Sequence, residues 1–128
     1  MNAVAPLRVV VADDDEDARF LLRRTLERSG RFSVVAEAGD GAEATVVTDQ
    51  QRPDLVILDL KMPKVDGISA LPQIRAAAPN AVVVIVSTLP REHLANRAVN
   101  AGAHAFIGKS MSPRRLLEIL LKTIDEAQ

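Results

Sequence analysis

Short, continuously apolar runs recur along the chain and alternate with longer amphipathic segments. Four of the runs are rich in β-branched residues and a fifth is less apolar: Leu7 to Ala12, Phe32 to Ala38, Leu55 to Leu58, Val82 to Val86 and Ala103 to Ile107. Continuous rather than alternating hydrophobicity is typical of strands that are covered on both faces. The pattern therefore predicts five buried β-strands.

The segments between these runs have the periodicity of α-helices. Two of them carry a clear apolar stripe, made by Ala18, Leu21, Leu22, Thr25 and Leu26 in the first and by Leu116, Leu117, Leu120, Leu121 and Ile124 in the last. Pro72 lies inside a predicted helix that starts near Gly67, so it should either occupy the first turn or kink the helix. Strand and helix thus alternate five times.

Five strand-helix units joined by right-handed crossovers form a three-layer sandwich. We predict an α/β fold of the (βα)5 type, with a doubly wound parallel five-stranded sheet in the order 2-1-3-4-5, as in flavodoxin-like proteins. A length of 128 residues suits a single domain, residues 1–128.

Composition excludes several classes of function. The formal net charge is −1 and no basic cluster stands out, so direct binding to nucleic acid is not expected. The chain has no cysteine and two histidines, so a bound metal would have oxygen ligands. No apolar stretch approaches the ~20 residues of a membrane span, and the first residues lack the features of a signal peptide. We therefore expect a cytoplasmic protein without membrane contact.

Polar residues follow four of the predicted strands at the points where the strands end. Asp13 and Asp14 follow the first strand, Asp59 follows the third, and Ser87 and Lys109 follow the fourth and fifth. Strands 1 and 3 are neighbours in the predicted order, and their carboxyl ends meet where open α/β sheets bind ligands. We therefore expect the three carboxylates to lie together, with the hydroxyl and the ammonium beside them.

Such a set of side chains suits phosphoryl transfer. Clustered carboxylates bind a hard cation such as Mg²⁺ or Mn²⁺, and hydroxyl and ammonium groups donate to phosphoryl oxygens. Asp59 can itself accept the phosphoryl group as an acyl phosphate. Each residue also has an ordinary alternative: Asp13 to Asp17 as an acidic first helical turn, Ser87 as a turn residue and Lys109 as a solvated lysine.

The chain resembles the receiver domain of two-component response regulators over residues 7 to 126. Four motifs carry the resemblance in family order: Val11-Ala12-Asp13-Asp14-Asp15, Leu58-Asp59-Leu60-Lys61-Met62-Pro63 with Asp66-Gly67, Val86-Ser87-Thr88, and Gly102-Ala103 followed by Phe106-Ile107-Gly108-Lys109. The resemblance implies a phosphorylation-controlled signalling switch. It also implies no enzyme activity beyond the domain's own phosphoryl transfer and autodephosphorylation. A histidine kinase or phosphotransfer protein would donate the phosphoryl group to it.

The resemblance also assigns roles at the acidic end of the sheet. Asp59 would be the phosphoacceptor and a metal ligand, and Asp14 would bind Mg²⁺ directly. Asp13 would bind the ion largely through water, and the backbone carbonyl of Lys61 would be a further ligand.

Three residues would transmit the signal in this family. Ser87 would donate its hydroxyl to a phosphoryl oxygen, and Lys109 would pair with Asp59 and then with the phosphate. Phe106 would be a rotameric switch that turns into space left by Ser87, with ordinary core packing as the alternative. The change would be read on the face of helix 4, strand 5 and helix 5 by an output domain or a downstream protein.

Three further positions are expected to tune the lifetime of the phosphoryl group. Lys61 and Leu89 lie two residues after Asp59 and Ser87, where side chains hold or exclude an attacking water. Leu89 offers no hydrogen bond, which predicts slow autodephosphorylation. Thr88 stands where the family often has a smaller residue, and it would narrow the access to Asp59.

Two features of the sequence bear on the neighbouring domains and on the assembly of the protein. The stretch Val34 to Gly41 looks most like receivers that precede a helix-turn-helix output domain, and both a stand-alone receiver and one excised from a longer regulator fit the chain. Ile119 lies off the apolar stripe of the last helix, which favours a phosphorylation-enhanced homodimer through that helix. The alternative is a single exposed apolar side chain.

Three other functions fit the residues less well. A phosphatase of the haloacid dehalogenase type needs a threonine at an alternate position after its aspartates, and Asp13, Asp15 and Asp17 supply none. Flavin binding would need a Ser/Thr-rich phosphate loop after strand 1. A receiver used only for docking would not need every chemical residue, and Mg²⁺-dependent phosphorylation would separate it from a working switch.

Overall fold

A computed structural model describes residues 5–60, 67–88 and 91–127, with the backbone alone at residues 91–93. Ten elements alternate along these ranges. The strands are β1 (Leu7–Ala12), β2 (Phe32–Ala38), β3 (Leu55–Leu58), β4 (Val82–Ser87) and β5 (Ala105–Gly108). The helices are α1 (Glu16–Arg28), α2 (Gly41–Gln51), α3 (Gly67–Ala77), α4 (Arg91–Asn100) and α5 (Pro113–Ala127). The predicted bounds of β1, β2 and β3 are confirmed.

The five strands form one parallel sheet in the order β2-β1-β3-β4-β5. The predicted fold and strand order are therefore confirmed. Ala12, the last residue of β1, is paired with Leu58, the last residue of β3. Asp13 and Asp59 consequently leave the sheet side by side at its carboxyl edge.

Apolar side chains cover both faces of the sheet. On one face the sheet packs against α2, α3 and α4, with a core that includes Val10, Val56, Leu58, Leu71, Ile74, Val83 and Ile85. On the other face it packs against α1 and α5, with Val9, Val11, Leu26, Leu55, Ile57, Leu116, Leu120 and Ile124 in the core. Every residue of β3 and β4 is buried, as expected for central strands of a parallel sheet.

The apolar stripe of α1 is less buried than its periodicity predicts. Leu26 is buried, but Leu21 is 63% exposed and the neighbouring Phe20 is 59% exposed. The predicted helix is confirmed, but its apolar stripe includes a leucine that lies outside the core. This leucine lies at the rim of a cavity between α1 and α5, where the two helices do not close over it.

The fifth strand begins two residues later than predicted. Ala103 is buried, but its N–H donates to the Ala98 carbonyl at 2.9 Å and so closes the end of α4. Its hydrophobicity therefore belongs to a helix-to-strand turn. The strand itself extends to Gly108, directly before Lys109.

The helix α3 contains Pro72 beyond its first turn, so the first-turn alternative for this proline is wrong. Proline has no N–H to donate, and one helical hydrogen bond is therefore missing at this position. Within the described ranges, none of the helices is both long enough and apolar enough to cross a membrane.

Candidate phosphoacceptor and metal site

Three carboxylates meet at the carboxyl edge of the sheet. Oxygen atoms of Asp13, Asp14 and Asp59 all lie within 4.8 Å of one another. The first and third of these residues are buried and Asp14 is exposed. The Asp13 N–H donates to the Ala38 carbonyl at 3.0 Å, and the Asp59 N–H donates to the Ala12 carbonyl at 2.9 Å. The hydrogen bonding of the sheet thus continues one residue past each strand and fixes both backbones.

Lys109 lies directly against two of these carboxylates. Its Nζ is 2.6 Å from Asp13 Oδ2 and 3.1 Å from Asp59 Oδ2. Burial by itself lowers the pKa of this ammonium, but the hydrogen bonds and charges of the two aspartates outweigh burial, so the pKa is raised above 10.5. The resemblance anticipates the contact with Asp59, whereas the sequence does not predict the closer contact with Asp13.

The charge and chemistry of the cluster fit a divalent cation. All three acidic groups offer hard oxygen donors, which Mg²⁺ and Mn²⁺ prefer. Three carboxylates and one ammonium leave an excess of negative charge, which a divalent ion would offset. The exposed Asp14 gives such an ion access from solvent. The predicted ligand at Lys61 lies outside the described residues.

The other predicted residues of the site lie on β4 and β5. Ser87 ends β4 with 1% of its surface exposed, and its carbonyl accepts the Lys109 N–H at 3.0 Å. Thr88 follows on the surface. Phe106 is paired with Ile85 in the sheet and is 6% exposed, within the core. The structure therefore brings Ser87 next to the lysine and places the phenylalanine inside the protein, while Leu89 lies outside the described residues.

The acidic run after β1 has two separate uses. Asp15 is the N-cap of α1 and accepts the Asp17 N–H at 3.0 Å, which is the ordinary helix-end alternative. Asp13 and Asp14 belong instead to the carboxylate cluster. Sequence reasoning missed Arg19, whose Nη1 donates to the Asp13 carbonyl at 2.6 Å. Its only signal is an arginine one turn into a helix that begins with acids.

A cavity of about 200 Å³ lies beside the cluster, between α1 and α5. Its walls are mostly apolar and include Leu22, Val86 and Leu116, and it is bounded at one end by Asp59 and Lys109. Apolar walls lower the local dielectric response, so charges at this edge interact more strongly than they would in water. The site is thus polar on its solvent side and apolar behind.

Comparison with known proteins agrees with this architecture. The family model of the response regulator receiver domain matches residues 9–121. The chemotaxis protein CheY of Bacillus subtilis is 36% identical over 118 residues, which cover 92% of this chain and 98% of that protein. Longer relatives are matched over part of their length, 53% of one and 30% of another.

Solved structures give the same result. The receiver domain of the putative response regulator NarL from Mycobacterium tuberculosis superposes with a TM-score of 0.89 and 30% identity, covering 95% of this chain and 98% of that one. CheY in the CheX-CheY-BeF3-Mg²⁺ complex of Borrelia burgdorferi gives a TM-score of 0.85 and 31% identity, covering 91% and 88%. This chain therefore belongs to the response regulator receiver domain family, which consists of phosphorylation-controlled signalling switches of two-component systems.

Proposed function

We propose that residues 1–128 form one receiver domain that accepts a phosphoryl group on Asp59 in a Mg²⁺-dependent reaction. The observation that carries the proposal is the convergence of Asp13, Asp14 and Asp59 with the Lys109 ammonium at one edge of the sheet. A nucleophilic carboxylate, further oxygen ligands for a cation and a fixed positive charge are the groups that phosphoryl transfer to an aspartate needs.

The phosphoryl donor in this proposal is a phosphohistidine of a histidine kinase or a phosphotransfer protein. A carboxylate oxygen of Asp59 attacks the phosphorus, and a bond forms between them. The bond from phosphorus to the imidazole nitrogen breaks, and the electron pair leaves with the imidazole, which then takes up a proton. A bound Mg²⁺ supplies charge compensation for the phosphoryl oxygens, and Asp14, Asp13 and the Lys61 carbonyl would hold it with Asp59.

Lys109 and Ser87 would pass the chemical change to the protein. The ammonium already contacts Asp59, so it can follow the negative charge onto the phosphoryl oxygens. Ser87 would donate its hydroxyl to another of these oxygens, and Phe106 would fill the space that this movement leaves. Because the Lys109 N–H bonds the Ser87 carbonyl, the ends of β4 and β5 are mechanically linked.

The surface between α4, β5 and α5 would be read by an output domain or a downstream protein. A groove there is lined by apolar residues, among them Val99, Met111 and Ile119. Val99 is 55% exposed, whereas Ile119 packs partly against the core. A phosphorylation-enhanced homodimer through this surface would therefore depend more on the valine than the sequence suggests.

The lifetime of the phosphoryl group would be set beside the nucleophile. Leu89 would shield the phosphorus from water, and Lys61 would hold a phosphoryl oxygen rather than orient an attacking water. Thr88 is exposed next to Ser87, where it can restrict access to Asp59. Slow loss of the phosphoryl group is the result expected in the absence of a phosphatase.

The test is phosphorylation by acetyl phosphate, followed by intact mass. The parent with Mg²⁺ should gain one phosphoryl group that is lost in acid and in base, and EDTA should prevent the gain. Asp59→Asn should not be modified. Asp125→Asn, which removes an exposed carboxylate from α5, is the matched control and should behave as the parent does. Full modification of Asp59→Asn, or modification that is unaffected by EDTA, would contradict the proposal.

A further inference from the structure

The Arg19 side chain connects the acidic turn with the second strand. Its Nη1 donates to the Asp13 carbonyl at 2.6 Å, and its Nε donates to Glu37 Oε1 at 3.0 Å. The side chain is 18% exposed, so most of it is removed from solvent. One guanidinium thus holds β2 and the residue that begins the site.

Glu37 is held from its other side by a second arginine. Its Oε2 accepts from Arg23 Nη1 at 3.0 Å, and Arg23 Nε donates in turn to Glu27 at 3.3 Å. The Arg23 side chain is 46% exposed, and among the contacts of the described residues it has none with Asp13. Both arginines therefore pair with the same carboxylate, but only Arg19 reaches the site.

The contact of Arg19 satisfies the last polar group of Asp13. The N–H of this residue is bonded to β2, its Oδ1 accepts the Asp15 N–H at 2.9 Å, and its Oδ2 accepts from Lys109. The carbonyl lies in the peptide unit that joins Asp13 to Asp14. Rotation of that peptide would move both side chains relative to Asp59.

We infer that Arg19 is a positioning residue for the divalent-cation site, acting through the peptide between Asp13 and Asp14, with Glu37 holding the guanidinium in place. This inference rests on the proposed function, because it concerns the same cation. A lone guanidinium so close would repel a cation, but the Glu37 carboxylate offsets its charge. Loss of Arg19 should therefore remove orientation more than it removes repulsion.

The test is Mg²⁺ affinity of the full chain, measured by calorimetric titration at fixed ionic strength. Mutation of a residue that hydrogen-bonds to a metal ligand typically changes metal affinity by about 10-fold to 100-fold. Arg19→Ala should therefore bind Mg²⁺ about tenfold more weakly than the parent. Arg23→Ala is the matched control, since it loses the same charge and the same Glu37 partner, and its affinity should stay within about twofold of the parent's. Urea unfolding in EDTA checks that each variant is folded.

Three further variants separate orientation from charge. Arg19→Lys keeps the charge but lacks the two-pronged donor, so its affinity should stay below the parent's. Glu37→Gln should weaken binding, and adding it to Arg19→Ala should cause no further loss, because the arginine through which Glu37 acts is already absent.

Two results would overturn the inference while leaving the proposed function intact: tighter or unchanged binding by Arg19→Ala, or parent-like binding by Arg19→Lys. Asp14→Asn is titrated in parallel. If neither the parent nor Asp14→Asn binds Mg²⁺, the proposed function fails together with the inference.

Discussion

The Lys109 ammonium lies closer to Asp13, at 2.6 Å, than to the candidate phosphoacceptor Asp59, at 3.1 Å. One positive charge is therefore shared between two buried carboxylates, and it neutralises neither of them completely. This arrangement explains how the acidic cluster is tolerated before a cation binds. It also means that the ammonium and a divalent cation compete for the same negative charge.

The competition predicts that Lys109→Met binds Mg²⁺ more tightly than the parent. The ammonium lies within hydrogen-bond distance of two of the three carboxylates that would hold the ion, so repulsion between the two cations should lower the affinity about tenfold, and the substitution removes this repulsion. The measurement is a Mg²⁺ titration at fixed ionic strength. Lys122→Met removes an equal charge from an exposed position of α5 and should leave the affinity unchanged. Weaker binding by Lys109→Met would show that the lysine organises the carboxylates instead.

Gly67 allows α3 to begin directly against the backbone of the site. A Cβ at this position would lie 2.5 Å from the Asp59 carbonyl oxygen and 2.8 Å from the Leu60 Cα. Backbone atoms must move to accept it, so Gly67→Ala should lower the free energy of unfolding by roughly 1–3 kcal/mol. Phosphorylation by acetyl phosphate should also slow, because the displaced carbonyl belongs to Asp59, the candidate phosphoacceptor.

The control for Gly67 is Gly108→Ala. The nearest side-chain atom to a Cβ at Gly108 is Ser110 Oγ at 4.0 Å, and the backbone of this glycine is not left-handed. The variant should be as stable as the parent in urea unfolding. Equal effects of the two substitutions would show that contact with the Asp59 backbone is not the cause.

We predict that a substitution at Thr48 stabilises the protein. This threonine is fully buried in α2, and its hydroxyl has no hydrogen-bond partner within the described part of the chain. Valine has nearly the same shape without the unsatisfied group, so Thr48→Val should raise the free energy of unfolding by about 1 kcal/mol. The Thr45 hydroxyl instead donates to the Gly41 carbonyl at 3.0 Å, and Thr45→Val should be neutral or slightly destabilising. Urea unfolding of both variants measures the difference, and a loss of stability in Thr48→Val would contradict the argument.

We predict that the contribution of His104 to folding stability is lost in mild acid. Its Nδ1 accepts the Val83 N–H at 3.0 Å, and burial together with the charge of Arg75 lowers the pKa of the imidazole below 6.5. In mild acid the unfolded chain therefore binds more protons at this residue than the folded chain does. The contribution of His104 to folding stability is complete above about pH 6.5 and is lost as the pH falls through the lower pKa that the imidazole has in the folded chain. Asn offers an acceptor without titrating.

The measurement is the free energy of unfolding of the parent and of His104→Asn between pH 7.5 and pH 5, a range set on either side of the ordinary value of about 6.5. As the pH falls, the free energy of unfolding of the parent should decrease more than that of His104→Asn. Parallel curves would mean that His104 titrates alike in the folded and unfolded chains.

Sequence reasoning succeeds where a pattern has a single structural cause. The bounds of β3 follow from the sequence because a strand covered on both faces is apolar throughout, and β1 and β2 follow from runs that are apolar apart from Arg8, Ser33 and Glu37. It fails at Ala103, which is buried in a turn and not in a strand. At Leu21, periodicity shows which face of the helix is apolar but not whether a neighbouring helix covers that face.

Some features of the site can likewise be predicted from the sequence and others cannot. The meeting of Asp13 with Asp59 follows from the strand order, because backbone topology fixes where both residues begin. The contacts of Arg19 and Lys109 with Asp13 cannot be predicted from the sequence, because the partners of long flexible side chains depend on three-dimensional distance. Sequence spacing does not show which partner such a side chain contacts.

The ion pairs of the site join distant parts of the chain. Lys109 and Asp13 are 96 residues apart, and Lys109 and Asp59 are 50 residues apart. During synthesis, a nascent chain acquires all three carboxylates long before it acquires the ammonium. The ammonium follows β5, an edge strand that pairs with β4 alone. On the proposed function, a truncated chain that lacks this strand would have no ammonium to follow the phosphoryl group, so only the complete domain would couple phosphorylation to its partners.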